Sequence, residues 1–143
     1  MAEKLASLKQ KGGGDLRETV LWTNANPNAS AGFPAQSVTL SDNISHYKYI
    51  VIVCRWSNDA QSGNGSTKYI YDATELPNCT GGTSYYPVPY LGMFYGGLTY
   101  YYRNILYDSD TSLSFSQCYY NRTNVAPTVN NGAAIPVQII GLK

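Results

Sequence analysis

The chain has 143 residues and a net charge of +1, with 13% charged side chains set against 14 tyrosines and 13 glycines. So neutral a balance supplies no long-range field for nucleic acid or an acidic membrane, and no Lys/Arg cluster interrupts it. The length suits one domain, which at this size buries roughly 68% of its unfolded surface, so no disulfide or metal staple is required.

In chain order, Met1 to Lys11 lacks the apolar core of a secretory signal. Glu3 to Lys11 favours helix, with Leu5 and Leu8 on one side, but two turns are too short to be stable alone. Gly12-Gly13-Gly14 then breaks the chain, giving a tether or oligomerisation stub over 1–14 and a β-domain over 15–143. Strands are predicted at Glu18 to Thr23, Gln36 to Leu40, Tyr47 to Arg55, Thr67 to Tyr71, Pro89 to Tyr95, Leu98 to Tyr107, Ser112 to Tyr120 and Ala134 to Leu142. Leu113-Ser-Phe115 alternates, so one face is buried and the serines face water. Tyr49 to Cys54 is apolar at every position, which requires cover on both faces, from a neighbouring element or a second subunit. The longest apolar run lies here and falls short of the ~18 residues that cross a bilayer, so no membrane insertion is expected. Eight short strands with almost no helix predict an all-β, two-sheet antiparallel sandwich of jelly-roll type, with an up-and-down barrel as the alternative.

The segment Leu91 to Tyr102 holds the firmest local signal, two β-prone runs joined by Gly96-Gly97. Two glycines supply the positive φ of a two-residue hairpin turn. That register pairs Met93 with Tyr100 and Leu91 with Tyr102 on the core face. It leaves Tyr90, Phe94, Tyr101 and Arg103 on the opposite face, an aromatic and cationic surface suited to a ligand or another subunit.

Catalytic and metal motifs are absent. His46 is the sole histidine and sits in an ordinary turn, Asn43-Ile-Ser-His46. Cys54, Cys79 and Cys118 are odd in number and widely spaced, and read as reduced thiols with Cys54 in the core. Asp108-Ser-Asp110 is the one close carboxylate pair. It lacks the further ligands and glycine of a calcium loop and reads as a turn; as a hydrolase pair it is the third functional option. Gly63-Asn-Gly65 and Gly81-Gly82 fit no phosphate-binding spacing. Five Asn-x-Ser/Thr sequons reflect a polar loop vocabulary rather than glycosylation. The expectation is a protein that is not an enzyme and carries no cofactor. Its tyrosine clusters, Tyr85-Tyr86 to Tyr90, Tyr100 to Tyr102 and Tyr119-Tyr120, offer flat apolar faces and hydroxyls for sugars or subunit contacts.

Leu16-Arg-Glu-Thr-Val-Leu-Trp-Thr-Asn-Ala-Asn-Pro-Asn28, Phe33 to Tyr49 with its Val-Thr-Leu-Ser-Asp-Asn-Ile-Ser phrase, and the closing Ile135 to Lys143 cover about a third of the chain. They resemble tail-fibre-like and minor structural proteins of bacteriophages and prophages of gut bacteria. The resemblance implies a virion-associated β-sandwich, made in the host cytoplasm and often trimeric, that contacts other virion proteins and host cell-surface glycans. It carries over no catalytic residues. A stand-alone carbohydrate-binding module is the alternative.

Overall fold

The computed structural model describes residues 17–57, 65–80, 90–95, 99–122 and 125–143; for 90–95, 99, 122 and 125 only the backbone is described. The expected tether over 1–14 therefore lies outside the described residues. The strands are β1 (Glu18–Thr23), β2 (Gln36–Thr39), β3 (Tyr49–Ser57), β4 (Ser66–Asp72), β5 (Tyr90–Tyr95), β6 (Thr99–Ser109), β7 (Ser112–Phe115), β8 (Tyr119–Arg122), β9 (Val125–Val129) and β10 (Ala133–Leu142). Two short 3₁₀ turns, Ile44–His46 and Leu76–Asn78, are the only helical elements among the described residues. No helix there is long and apolar enough to cross a membrane.

The strands form two antiparallel sheets. The first has four strands in the order β1-β10-β3-β4; the second has six, β2-β7-β6-β8-β9 with β5 also paired to β6. Because β2 lies opposite β1 and β3, and β9 opposite β10, the chain crosses repeatedly between layers. These crossings make the protein an all-β sandwich.

The core follows from alternation. Ile50, Ile52 and Cys54 of β3 with Ile139 of β10 face Val38, Ile105, Leu113 and Phe115 of the second sheet, and all are buried. Phe33, in the β1–β2 connection, sits edge-on to both Trp22 (6.0 Å) and Phe115 (5.8 Å), so one ring ties the layers together. Gly32 enters this site at φ 70°, and a Cβ there would collide with the Asn131 carbonyl. Gly141 likewise leaves room for the Tyr47 ring to lie flat on β10.

The expectation that Tyr49 to Cys54 is hidden on both sides holds for its centre. Val51 is buried on the outer face, in a cross-strand row Val20, Ile140, Val51, Ile70 whose end members are 49% and 64% exposed.

Register shifts interrupt four of the strand pairings, β1–β10, β10–β3, β6–β7 and β8–β9. Val137 is an extra residue in β10, between Pro136↔Cys54 and Gln138↔Val53, which explains how a proline sits inside a central strand. Asn24 seals the gap: its N–H donates to the Val137 carbonyl (2.8 Å) and its Nδ2 to the Pro136 carbonyl (2.9 Å). On β6, Asp108 is the extra residue before the tight turn at Asp110 and Thr111. Between β7 and β8, the register against β6 advances by one residue across Ser116 to Cys118, so the single predicted strand Ser112 to Tyr120 becomes two.

The hairpin register differs from the two-residue turn. Tyr95 pairs with Thr99, Phe94 with Tyr100, Met93 with Tyr101 and Leu91 with Arg103. Three residues, 96–98, connect the strands rather than two; that loop lies outside the described residues. A one-residue slip exchanges the faces of a strand. Arg103 and Tyr101 therefore point inward and Tyr100 and Tyr102 outward, the reverse of the sequence expectation.

Candidate functional site

The inner face of β6 holds an unusual group. Arg103 is fully buried, and among the described residues its hydrogen bonds go to four main-chain carbonyls: Nε to Ala134 (2.9 Å), Nη1 to Phe33 (2.7 Å) and Ser116 (2.6 Å), and Nη2 to Ala133 (3.2 Å). Its guanidinium also lies over the Phe33 ring, 5.3 Å from the centroid. The carbonyl dipoles replace the water that burial removes, and the planar fork reaches the entry to β10, the β1–β2 connection and the β7–β8 bulge together. Ala134, one of its acceptors, sits at φ 46°, a left-handed conformation that alanine rarely takes. Burial pulls the Arg103 pKa down, while the nearby Cys118 and Cys54 oppose that shift. Burial in turn pushes the Cys54 thiol up to about 12 and Cys118 to about 11, against the Arg103 charge, which favours their thiolates. These are inert thiols. Arg103, expected on a contact surface, is instead a structural clamp.

The outer face of the same strand carries the candidate site. Tyr100 and Tyr102 lie 5.4 Å apart between ring centroids, and Tyr102 stacks on Tyr119 of β8 at 5.5 Å with 30° between planes. Asn121 Nδ2 donates to the Tyr100 hydroxyl (3.0 Å) and fixes that ring. The three rings are half-buried. Burial raises the Tyr102 pKa, the neighbouring Tyr100 and Tyr119 adding to the shift, so its phenol stays protonated and able to donate at neutral pH. The register puts Phe94 opposite Tyr100, and puts Gly92 opposite Tyr102, a position with no side chain to cover the ring.

Further along this face the chemistry becomes polar. Asp108 Oδ2 accepts from Ser112 Oγ (3.2 Å) and Ser114 Oγ (2.5 Å), and Ser114 Oγ lies 2.6 Å from Ser37 Oγ of β2. Among the described residues no hydrogen bond engages Asp108 Oδ1, the Asn104 carboxamide, or the hydroxyls of Tyr102 and Tyr119. The face thus offers apolar rings at one end and uncommitted donors and acceptors along its length.

The candidate contact residues from sequence divide accordingly. Tyr119 is on the outer platform. Tyr101 packs against the core and lies tilted against Tyr120 (4.9 Å between centroids, 42° between planes), so this pair belongs to the other face. Tyr90 and Phe94 have described backbones only, in β5. Tyr85 and Tyr86 lie outside the described residues. Sequence reasoning missed Tyr100, Tyr102, Asn104 and Asp108 as one surface. The signal that finds them is the core phase of Leu113 and Phe115, whose β6 partners Tyr107 and Ile105 carry the inward phase back to Arg103.

Other chemical groups are accounted for structurally. Asp42 accepts from the Tyr47 hydroxyl (2.7 Å), the Asn43 N–H (2.7 Å) and His46 Nδ1 (2.9 Å); chiefly the Tyr47 bond holds its pKa below the usual carboxylate value. Asp110 binds the Tyr107 hydroxyl (2.7 Å) while Asp108 binds serines, so the two carboxylates serve different partners. Among the described residues no group of three or more His, Cys, Asp or Glu is placed to hold a metal ion. No protein-family model and no curated protein matches the chain. Fold and surface define the class: an all-β sandwich with an aromatic sheet face.

Proposed function

We propose that the chain is a binding domain of a virion-associated structural protein, presenting the outer face of its second sheet to a cell-surface glycan. One observation carries this reading: Tyr100, Tyr102 and Tyr119 form a contiguous ladder on an outer sheet face, beside uncommitted hydrogen-bonding groups. Pyranose rings present apolar C–H faces with hydroxyls at their edges, which such a surface complements. The backbone beneath is held by sheet hydrogen bonds and the Arg103 clamp, so little ordering entropy is spent on binding. The viral setting rests on the resemblance of the chain's two ends. The same face would serve the second reading, a stand-alone carbohydrate-binding module; genes adjoining the coding sequence separate the two.

A glycan array tests the proposal. Wild-type protein should bind a defined set of glycans, and Tyr102→Ala should weaken that binding by about tenfold or more, the loss expected for one stacked ring. The variant should keep its far-UV circular dichroism spectrum. Binding unaffected by Tyr102→Ala, or no binding on the array, would rule the surface out.

A further inference from the structure

The glycan reading, on which this inference rests, leaves the size and charge of the ligand open, and the layout of β6 bears on both. Alternation places Tyr102, Asn104 and Asp108 on one face of a single strand. Six residues at about 3.3 Å each separate the platform from the carboxylate by about 20 Å, longer than one sugar ring. Uncommitted polar groups are spread along that line rather than gathered in one pocket. Asp108 is the bulged residue of β6, and on this face the hydroxyls of Ser112 and Ser114 hold its Oδ2 and leave Oδ1 as an acceptor. Asp108 is the only charged side chain that the described strands place on this face.

We infer that the ligand is an extended neutral oligosaccharide laid along β6, stacked at Tyr102 and Tyr119 and hydrogen-bonded at Asn104 and Asp108, and that Asp108 sets the charge class by excluding acidic glycans. A carboxylate with one oxygen already saturated by hydroxyl donors accepts readily from a sugar diol. A uronic acid ring would bring a second negative charge against it with no cation among the described side chains of the face to compensate.

Titration calorimetry with cellohexaose, maltohexaose, N-acetylchitohexaose, their disaccharides and hexagalacturonate tests this. At least one neutral hexamer should bind about tenfold or more tightly than its disaccharide, because only the hexamer reaches both ends of the strand. Hexagalacturonate should bind at least about tenfold more weakly than that hexamer at low salt; Asp108→Asn, which trades a charge-assisted hydrogen bond for a neutral one, should weaken the neutral hexamer by about threefold or more while recovering about fivefold in hexagalacturonate affinity. Equal affinity for disaccharide and hexamer overturns the extended ligand. Hexagalacturonate binding as tightly as the neutral hexamers, or insensitive to Asp108→Asn, overturns the role of Asp108; if Tyr102→Ala still abolishes binding, the glycan reading stands. Failure of every hexamer to bind, together with a blank glycan array, removes both.

Discussion

The two faces of β6 invert the usual division of residue types. Its inner face carries a buried arginine, and its outer face carries half-exposed tyrosines. On the inner face each guanidinium nitrogen of Arg103 donates to a main-chain carbonyl, and no buried side-chain nitrogen or oxygen lacks a partner among the described residues. The outer face keeps several polar groups uncommitted. Satisfied groups specify a fold, and uncommitted ones are left for a ligand. The comparison predicts that substitutions on the two faces separate stability from binding.

The largest effect is expected at Arg103. A leucine there fills much of the volume but leaves the carbonyls of Phe33, Ser116, Ala133 and Ala134 buried without their donor, and backbone acceptors cannot be mutated away in compensation. Arg103→Leu should therefore cost at least about 4 kcal/mol, a large share of the total stability of such a domain. Arg103→Lys, with a compact head and no fork, should recover only part of it. Urea denaturation measures both, with Tyr102→Ala on the outer face as the control. Arg103→Leu within about 1 kcal/mol of wild type would contradict the clamp.

A smaller effect concerns pH and again belongs to the inner face. Cys54 and Cys118 are acids whose pKa is raised on folding, to about 12 and about 11. The folded protein therefore keeps protons that the unfolded chain releases above its ordinary thiol pKa. Their contribution is fully present below that value and is lost as pH rises through it toward the folded values. Each thiol should cost about 1 kcal/mol between pH 9 and pH 10. Melting temperature should fall over this range, and the slope should be shallower in Cys54→Ala and Cys118→Ala. Tyr47, Tyr102 and Tyr107, also raised, add the same sign at higher pH. An unchanged slope in both variants would show that the thiols ionise freely in the folded protein.

How much of this was legible in the sequence depended on the range of the interaction. The Glu18–Thr23 strand has the expected boundaries, and the inward phase of Leu113 and Phe115 was correct, because local alternation decides both. Strand β9 carries little local signal, since a proline such as Pro127 argues against a strand interior; the sheet tolerates it at an edge. The site itself was misread by one residue. Gly96-Gly97 satisfied the chemistry of a two-residue turn, yet the pairing skips three, and that single step exchanged Tyr101 and Arg103 with Tyr100 and Tyr102. Hydrophobicity pointed the wrong way as well, since an arginine is the last residue of β6 one would place in a core. Its acceptors come from positions 13 to 70 residues away in sequence, beyond any local pattern.

The smallest effect is the most diagnostic of how the inner face works. Ala134 is fully buried and left-handed. Replacing it with glycine relieves about 1–2 kcal/mol of backbone strain. The same change removes a buried methyl worth about 0.8 kcal/mol and makes the unfolded chain more flexible by about 0.5–1 kcal/mol. Ala134→Gly should therefore stay within about 1 kcal/mol of wild type. If Arg103, by gripping the carbonyls of Ala133 and Ala134, is what imposes the left-handed turn, the strain vanishes once the grip is loosened. In an Arg103→Lys background glycine then has nothing to relieve, and the same substitution should become more destabilising, with a coupling of about 1 kcal/mol in the double-mutant cycle. Additivity within about 0.3 kcal/mol would mean that the β10 entry holds its conformation without the arginine. The clamp would then be a passenger on a backbone fixed by the bulge at Val137.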